Sequence, residues 1–361
     1  MKVIVSAGGT GGHIYPALAI INKLKEKYKD LELLYIGTTD RMEKELVPSL
    51  GIDYVGIEMK GLNRKNIFKN VTVLKSFRKA INKIENIMKE FKPDVVLGIG
   101  GYITAPVIIA AKNLKIKTFI HEQNSIPGLS NKLLKKKVNA IGISLKESEK
   151  YFKGCNVYFT GNPRSEEACA ATPLKKEKYN LSENKKLVLF VMGSLGSQTI
   201  TNIMKNTIPE FKNKDYEVLY VTGKNYFDSY SDVKIPSNVK MVPNLPDMLD
   251  VLKKTNLIIT RAGATTIAEI TALGVPSIMI PSPYVTHNHQ EKNAEVLEKQ
   301  NASVVIKEKE LTKEKLISTI DELINDSKKL KEMKENNISL GVKDSATKIV
   351  NIIDELVYGE K

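Results

Sequence analysis

Ten short runs rich in Val, Ile and Leu recur along the chain, each separated from the next by a stretch of helical periodicity. In the first half they cover residues 3–6, 33–36, 95–99, 117–120 and 139–143. In the second half they cover residues 187–191, 218–221, 257–260, 277–280 and 303–306. Near-continuous apolar runs of this length, alternating with helices, are strands buried on both faces of a parallel sheet, because right-handed βαβ crossovers cover both sides. The expected fold class is α/β, built from doubly wound, Rossmann-like sheets. At 361 residues the chain is long for one such unit and suits two. Residues 156–172, which hold Gly161-Asn162-Pro163, read as a linker, and residues 346–357 form a last amphipathic helix. The expected domains are residues 1–162 and 163–340, followed by a C-terminal segment, 341–361. Open α/β sheets bind ligands beyond the carboxyl ends of their strands, so two domains facing a central cleft should carry their chemistry in residues that follow strands.

The residues after the strands fit that expectation. Gly8-Gly9-Thr10-Gly11-Gly12-His13 follows the first strand and opens a helix. It lacks the G-x-G-x-x-G spacing of a dinucleotide fold and the Gly-Lys-Ser/Thr of a Walker loop. A tight turn needs fewer than four glycines; four let backbone N–H groups approach an anion closely at the positive end of a helix. His13 lies in the first helical turn, where the dipole disfavours imidazolium and keeps the ring able to accept a proton. A second turn, Gly193-Ser194-Leu195-Gly196-Ser197, follows residues 187–191. A third, Arg261-Ala262-Gly263-Ala264-Thr265-Thr266, opens a helix that contains Glu269, an acid able to accept from two ribose hydroxyls or simply to face water. His289-Gln290, after Pro281 and Pro283, offers donors suited to sugar hydroxyls. His121-Glu122-Gln123-Asn124 and Gly100-Gly101-Tyr102 follow strands of the same sheet as the first turn. The four histidines, His13, His121, His287 and His289, all fall in expected post-strand loops or helix starts.

Charge and cysteine content narrow the classes further. The net charge is +14. Residues 1–163 carry 27 Lys/Arg against 14 Asp/Glu, a net +13, whereas residues 164–361 carry 28 against 27, a net +1. A uniform Lys-rich bias would load both halves, so the N-terminal half is expected to meet something anionic. Lys60, Arg64, Lys65, Lys69, Lys75, Arg78, Lys79 and Lys83 lie in a stretch without acids and interleave with Ile67, Phe68, Val71, Leu74 and Phe77. Such a basic amphipathic segment either presents a solvated helix face or sits on anionic headgroups. The lysines at 132 and 135–137 can extend the patch. Two cysteines, Cys155 and Cys169, make no disulfide framework and suit a reducing compartment. No apolar run reaches the roughly 18 residues of a spanning helix, and Met1 begins a strand rather than a signal peptide. No D-x-D motif or cluster of metal-ligand spacing occurs, so no metal is expected. Aromatic residues are only 6% of the chain, too few among the basic residues for the stacking that nucleic acid would need.

Taken in order, these turns resemble the MurG family of GT-B glycosyltransferases, UDP-GlcNAc:lipid I N-acetylglucosaminyltransferases, over nearly the whole chain. The resemblance implies an inverting transfer of GlcNAc to the C4 hydroxyl of the MurNAc of lipid I, giving lipid II, without cofactor or metal. It implies a catalytic base in His13, with Glu122 or His121 as competitors. Gly8, Gly9, Thr10, Gly11, Gly12, Tyr102 and Asn124 would hold the acceptor. Arg164, Ser194, Leu245, Ala264, Thr265, Thr266, Glu269, His289 and Gln290 would hold the donor. Ile67, Phe68, Leu74, Lys75, Phe77 and Arg78 would meet an anionic membrane surface, peripherally at its cytoplasmic face, and the C-terminal helix would pack back on the N-terminal domain. Implied partners are UDP-GlcNAc, lipid I, the membrane, and proteins of cell-wall synthesis and division, with no nucleic acid. The chain departs from the family pattern at Met192-Gly193, where Gly-Gly is usual, at His289, and at Asn244-Leu245, where relatives can be aromatic. Two further classes are another GT-B enzyme, such as an epimerase or glycolipid synthase, and a nonenzymatic UDP-sugar-binding module.

Overall fold

The structure, a computed structural model, describes residues 1–59, 70–193, 196–285 and 288–359, with only the backbone course of residues 70–74. The chain divides into two units, Met1–Arg164 with Asp344–Lys361, and Ser165–Lys343. The breaks fall at 164/165 and 343/344, two and three residues beyond the expected boundaries.

The first unit holds strands β1 (Lys2–Ala7), β2 (Glu32–Thr38), β3 (Asp53–Ile57), β4 (Val95–Gly100), β5 (Lys117–Glu122), β6 (Ala140–Ile143) and β7 (Val157–Phe159). They pair in parallel in the order β3-β2-β1-β4-β5-β6-β7. Its helices are α1 (Gly11–Lys27), α2 (Glu43–Ser49), α3 (Asn70–Phe91), α4 (Thr104–Asn113) and α5 (Leu129–Leu134). The second unit begins within α6 (Arg164–Ala170). Its strands are β8 (Leu187–Val191), β9 (Glu217–Val221), β10 (Val239–Val242), β11 (Leu257–Thr260), β12 (Ser277–Met279) and β13 (Ser303–Val305). They run in parallel in the order β10-β9-β8-β11-β12-β13. Helices α7 (Gln198–Thr207), α8 (Met248–Leu252), α9 (Ala264–Leu273), α10 (His289–Glu298), α11 (Lys313–Asn325) and α12 (Ser327–Leu340) flank them.

Three strands escape the sequence pattern: β3, β7 and β10. Each lies at the edge of its sheet. An edge strand is covered incompletely, and these three are mostly half-buried. Their sequences therefore lack the continuous apolar run that marks a central parallel strand. Residues 156–172 are accordingly no bare linker, because β7 and α6 lie within them.

Helix α13 (Ser345–Tyr358) belongs to the first unit. Its Ile349, Val350, Ile352 and Ile353 join the core formed by Val3, Val5, Ile14, Ile20, Ile21 and Leu24. Each buried Ile of this kind contributes about 1.5–3 kcal/mol. Asp354 of α13 accepts from Lys27 and Tyr28 at the end of α1, and the Ser345 hydroxyl donates to Asn162 O at 2.6 Å. The C-terminal helix thus fixes the far end of the helix whose N-terminus carries the first glycine turn.

Candidate functional site

The first glycine turn joins β1 to α1, and three neighbouring elements hold it. Gly8 N–H donates to Gly100 O at 3.2 Å. A Cβ at Gly101 would lie 2.4 Å from Gly8 O, and Gly101 adopts φ +90°, so close backbone approach and left-handed geometry both require glycine there. Gly100, at φ +119°, lies against the His13 imidazole; a Cβ there would come within 2.4 Å of His13 Nδ1. From β5, Gln123 places Oε1 3.2 Å from the same Nδ1. The turn, the end of β4 and the end of β5 therefore form one cluster around His13, which is half-buried in the first turn of α1.

Sequence reading missed the third support, Glu43. This carboxylate is fully buried at the start of α2. It accepts from Gly9 N–H at 3.2 Å, from Thr38 N–H at 3.3 Å and from the Thr38 hydroxyl at 2.7 Å. Tyr54 closes the same corner by donating to Thr38 O at 2.5 Å. Gly37 stands beside it because a Cβ would lie 2.4 Å from the Tyr54 hydroxyl. A helical residue in a polar stretch reads as solvated; only the turn folding over it reveals Glu43 as an anchor. Tyr102, half-buried, has its phenol pushed up by burial and by nearby Asp40, with hydrogen bonds from Arg41 and Thr38 opposing the shift.

Two expected bases are otherwise engaged. Strand β5 continues through His121 and Glu122, so neither lies in a loop. His121 is wholly buried, and burial pushes its imidazole from 6.5 down to about 4, partly opposed by Gly161 O. One ring nitrogen, Nε2, lies 2.9 Å from Gly161 O and 3.2 Å from the Thr160 hydroxyl; the other, Nδ1, lies 3.1 Å from Gln123 Nε2. Both nitrogens serve the interior. Glu122 is 2% exposed. Its Oε1 accepts from Asn124 N–H and Nδ2, and its Oε2 accepts from Gly128 N–H and Asn131 Nδ2 at 3.0 and 2.8 Å. It ties the segment before α5 to the sheet, and Asn124 is drawn into that tie. Of the three bases considered, His13 alone stands at the turn.

In the second unit the turn between β8 and α7 has Gly193 and Gly196 at φ +89° and +74°. A Cβ at Gly196 would lie 2.7 Å from Thr222 O. Ser197 begins α7, and its hydroxyl accepts from Arg261 at 2.9 Å. Arg261, buried at the end of β11, also donates to Ile280 O at 3.0 Å and pairs with buried Glu308 at 2.6 Å. One guanidinium thus joins the segments after β8, β12 and β13. Gly263 caps α9, which carries buried Ala264 and half-buried Thr265 and Thr266 in its first turn. Glu269 follows on the same helix, 5% exposed rather than solvated. His289 opens α10, Gln290 Oε1 accepts from Ser282 N–H at 2.8 Å, and buried Asn293 donates to Ala262 O at 3.3 Å. Leu245 is half-buried against the core of this unit. The segments of Gly263–Glu269 and Gln290 are therefore held together through Asn293.

Arg164 is placed with the first unit: its guanidinium lies 5.5 Å over the ring of Tyr15 on α1. On α3, Lys75 and Arg78 are exposed and Phe77 half-buried, while Ala80, Ile84 and Met88 enter the core. Ser194, Leu195, Lys60, Arg64, Lys65, Ile67, Phe68, Lys69, Thr286 and His287 lie outside the described residues, as do the side chains of Val71 and Leu74. Among the described residues no group of His, Cys, Asp and Glu could hold a metal, and no helix is long and apolar enough to cross a membrane.

Residues 3–143 match the glycosyltransferase family 28 N-terminal domain, and residues 187–349 match the family's C-terminal domain. The chain belongs to glycosyltransferase family 28. It is 45% identical, over 99% of both chains, to the UDP-N-acetylglucosamine--N-acetylmuramyl-(pentapeptide) pyrophosphoryl-undecaprenol N-acetylglucosamine transferase of Bacillus pumilus. The crystal structure of Acinetobacter baumannii MurG superposes with a TM-score of 0.78 at 25% identity, covering 98% of this chain and 99% of that one. A putative UDP-N-acetylglucosamine 2-epimerase of Listeria monocytogenes superposes with a TM-score of 0.74 at 15% identity over 100% and 97% of the two chains, a likeness of fold alone. The family 28 member described here thus has the GT-B architecture, two Rossmann-like units with parallel sheets.

Proposed function

We propose that this glycosyltransferase moves N-acetylglucosamine from UDP-GlcNAc to the C4 hydroxyl of the MurNAc of lipid I, giving lipid II for cell-wall synthesis and, through it, cell shape and division. The observation that carries the reading is the 45% identity to the Bacillus pumilus transferase along 99% of both chains. The glycine turns of both units support it, because a lipid diphosphate and a nucleotide diphosphate each need such a turn.

In this reading the C4 hydroxyl attacks the anomeric carbon as its bond to UDP breaks, and the configuration inverts. His13 takes the hydroxyl proton; Gly8, Gly9, Thr10, Gly11, Gly12, Tyr102 and Asn124 border the acceptor. The electron pair leaves with UDP. N–H groups of the second and third turns, with Thr265, Thr266, Arg164 and Ser194, offset the growing diphosphate charge without a divalent ion. Glu269 accepts from ribose hydroxyls, Leu245 meets the base, and Gln290, His289 and the Ala264 N–H read the sugar. The basic face that includes Lys75 and Arg78 meets anionic lipid at the cytoplasmic side, each near-surface charge contributing about 1 kcal/mol.

Incubation with radiolabelled UDP-GlcNAc and a lipid I analogue tests this reading. Label should pass to the lipid; release of free sugar, or epimerised UDP-sugar with the lipid unlabelled, would assign the chain to another GT-B activity.

A further inference from the structure

Behind His13 lies the buried side chain of Gln123. It is 1% exposed, and each end of its amide has a partner. Nε2 lies 2.8 Å from Ile99 O, a group that can only accept, so this end must be the NH2. The same NH2 faces His121 Nδ1 at 3.1 Å. The carbonyl end, Oε1, is then turned to His13 Nδ1 at 3.2 Å, and a nitrogen facing a carbonyl oxygen must bring the proton.

We infer that Gln123 is a positioning residue that holds His13 in the tautomer with its proton on Nδ1, leaving the lone pair on Nε2 for the acceptor hydroxyl. This rests on the assignment of His13 as the base. Histidine in water prefers the opposite tautomer, with the proton on Nε2, which could not take a proton there. The orientation of the amide is itself held from behind. His121 accepts from Gln123 at Nδ1 and therefore carries its own proton on Nε2, which donates to Gly161 O at 2.9 Å. A run of hydrogen bonds from Gly161 O through His121 and Gln123 thus ends on the catalytic ring, and every member is satisfied. Burial keeps His121 neutral, so Nδ1 stays an acceptor. Gly100 completes the arrangement, since a side chain there would displace the ring from Gln123.

The choice of an amide has a chemical consequence. A carboxylate in the same place would fix the tautomer but also stabilise imidazolium, raising the basicity of the ring. Gln fixes the tautomer with little added charge stabilisation, and the first turn of α1 disfavours imidazolium further. During transfer the C4 hydroxyl proton passes to Nε2, the oxygen–anomeric carbon bond forms, and the bond to UDP breaks with its pair. Nδ1–H stays on Gln123 Oε1 throughout.

The test reads the tautomer directly. Two-bond 1H–15N correlation spectra of the full chain labelled with 15N-histidine, above the pH of imidazole titration, distinguish protonated from bare ring nitrogens. The His13 signals are those absent from His13→Gln. Wild type should show a protonated Nδ1 and a bare Nε2 at His13. In Gln123→Met, which removes both ends of the amide at similar volume, the His13 proton should move to Nε2 wholly or in part. There kcat should fall, by up to the about 10²–10⁴-fold that a positioned base supplies, with the KM for UDP-GlcNAc unchanged. A wild-type His13 protonated on Nε2, a measurement that needs no variant, would overturn the inference, as would an unchanged tautomer in Gln123→Met. Failure of the assigned chemistry looks different: the tautomer is as expected, but His13→Gln transfers sugar at the wild-type rate.

Discussion

The first and second glycine turns read alike in sequence and are supported by opposite kinds of side chain. Beneath the first, in the N-terminal unit, a buried carboxylate takes the Gly9 N–H for itself. Beneath the second, a buried guanidinium donates to Ser197 and is neutralised by Glu308. A carboxylate under the first turn occupies one main-chain donor, whereas the guanidinium under the second, its charge taken up by Glu308, holds that turn through the Ser197 hydroxyl instead. The first turn is thus held through its own backbone and carries the histidine, and the second is held through a side chain. That division matches the proposed reaction, in which the acceptor side must take a proton while the donor side gains negative charge on the departing diphosphate.

The comparison breaks most severely at His13. His13→Ala should lower kcat by about 10²–10⁴-fold with the KM for UDP-GlcNAc nearly unchanged; equal losses in both would move His13 to the donor side. Next in size is Arg261→Met, which leaves Glu308 buried without its partner and should cost about 3–5 kcal/mol in urea unfolding while raising the donor KM. A donor KM indifferent to this change would show that the second turn needs no cationic support. A third effect belongs to the first unit. His121 is held neutral in the folded chain but gains a proton near pH 6.5 when unfolded. Its contribution to stability is complete above about pH 6.5 and is lost as pH falls to about 4, about 3 kcal/mol over that span. Urea midpoints across this range should fall less steeply for His121→Asn than for wild type. The smallest change is Glu43→Gln, which presents an NH2 to the Gly9 or Thr38 N–H and should cost about 1–3 kcal/mol. It should also raise the acceptor KM more than the donor KM, and the reverse ranking would contradict the assignment of the first turn to the acceptor.

Much of this was legible in the sequence wherever a signal was local. Central strands declare themselves by unbroken apolar runs, and the three glycine turns by composition. Edge strands β3, β7 and β10 were silent because half-exposed positions carry mixed residues. Glu43 was silent because it becomes buried only when a turn 34 residues away folds over it. His121 and Glu122 were misread as loop residues because polar side chains were assumed to end β5, whereas each finds its partners inside the first unit. Arg164, which the resemblance assigns to the donor, has its guanidinium over Tyr15 of the first unit, a neighbour that residue order does not show. Pairing of buried polar groups is a tertiary property, and residue order alone does not announce it.

In the proposed transfer, main-chain dipoles, backed by a buried arginine, receive the leaving diphosphate without a divalent metal ion. The most direct test is the initial rate of GlcNAc transfer from UDP-GlcNAc to a lipid I analogue in excess EDTA. The rate should match that measured with added magnesium. Loss of transfer in EDTA, restored by magnesium, would contradict it.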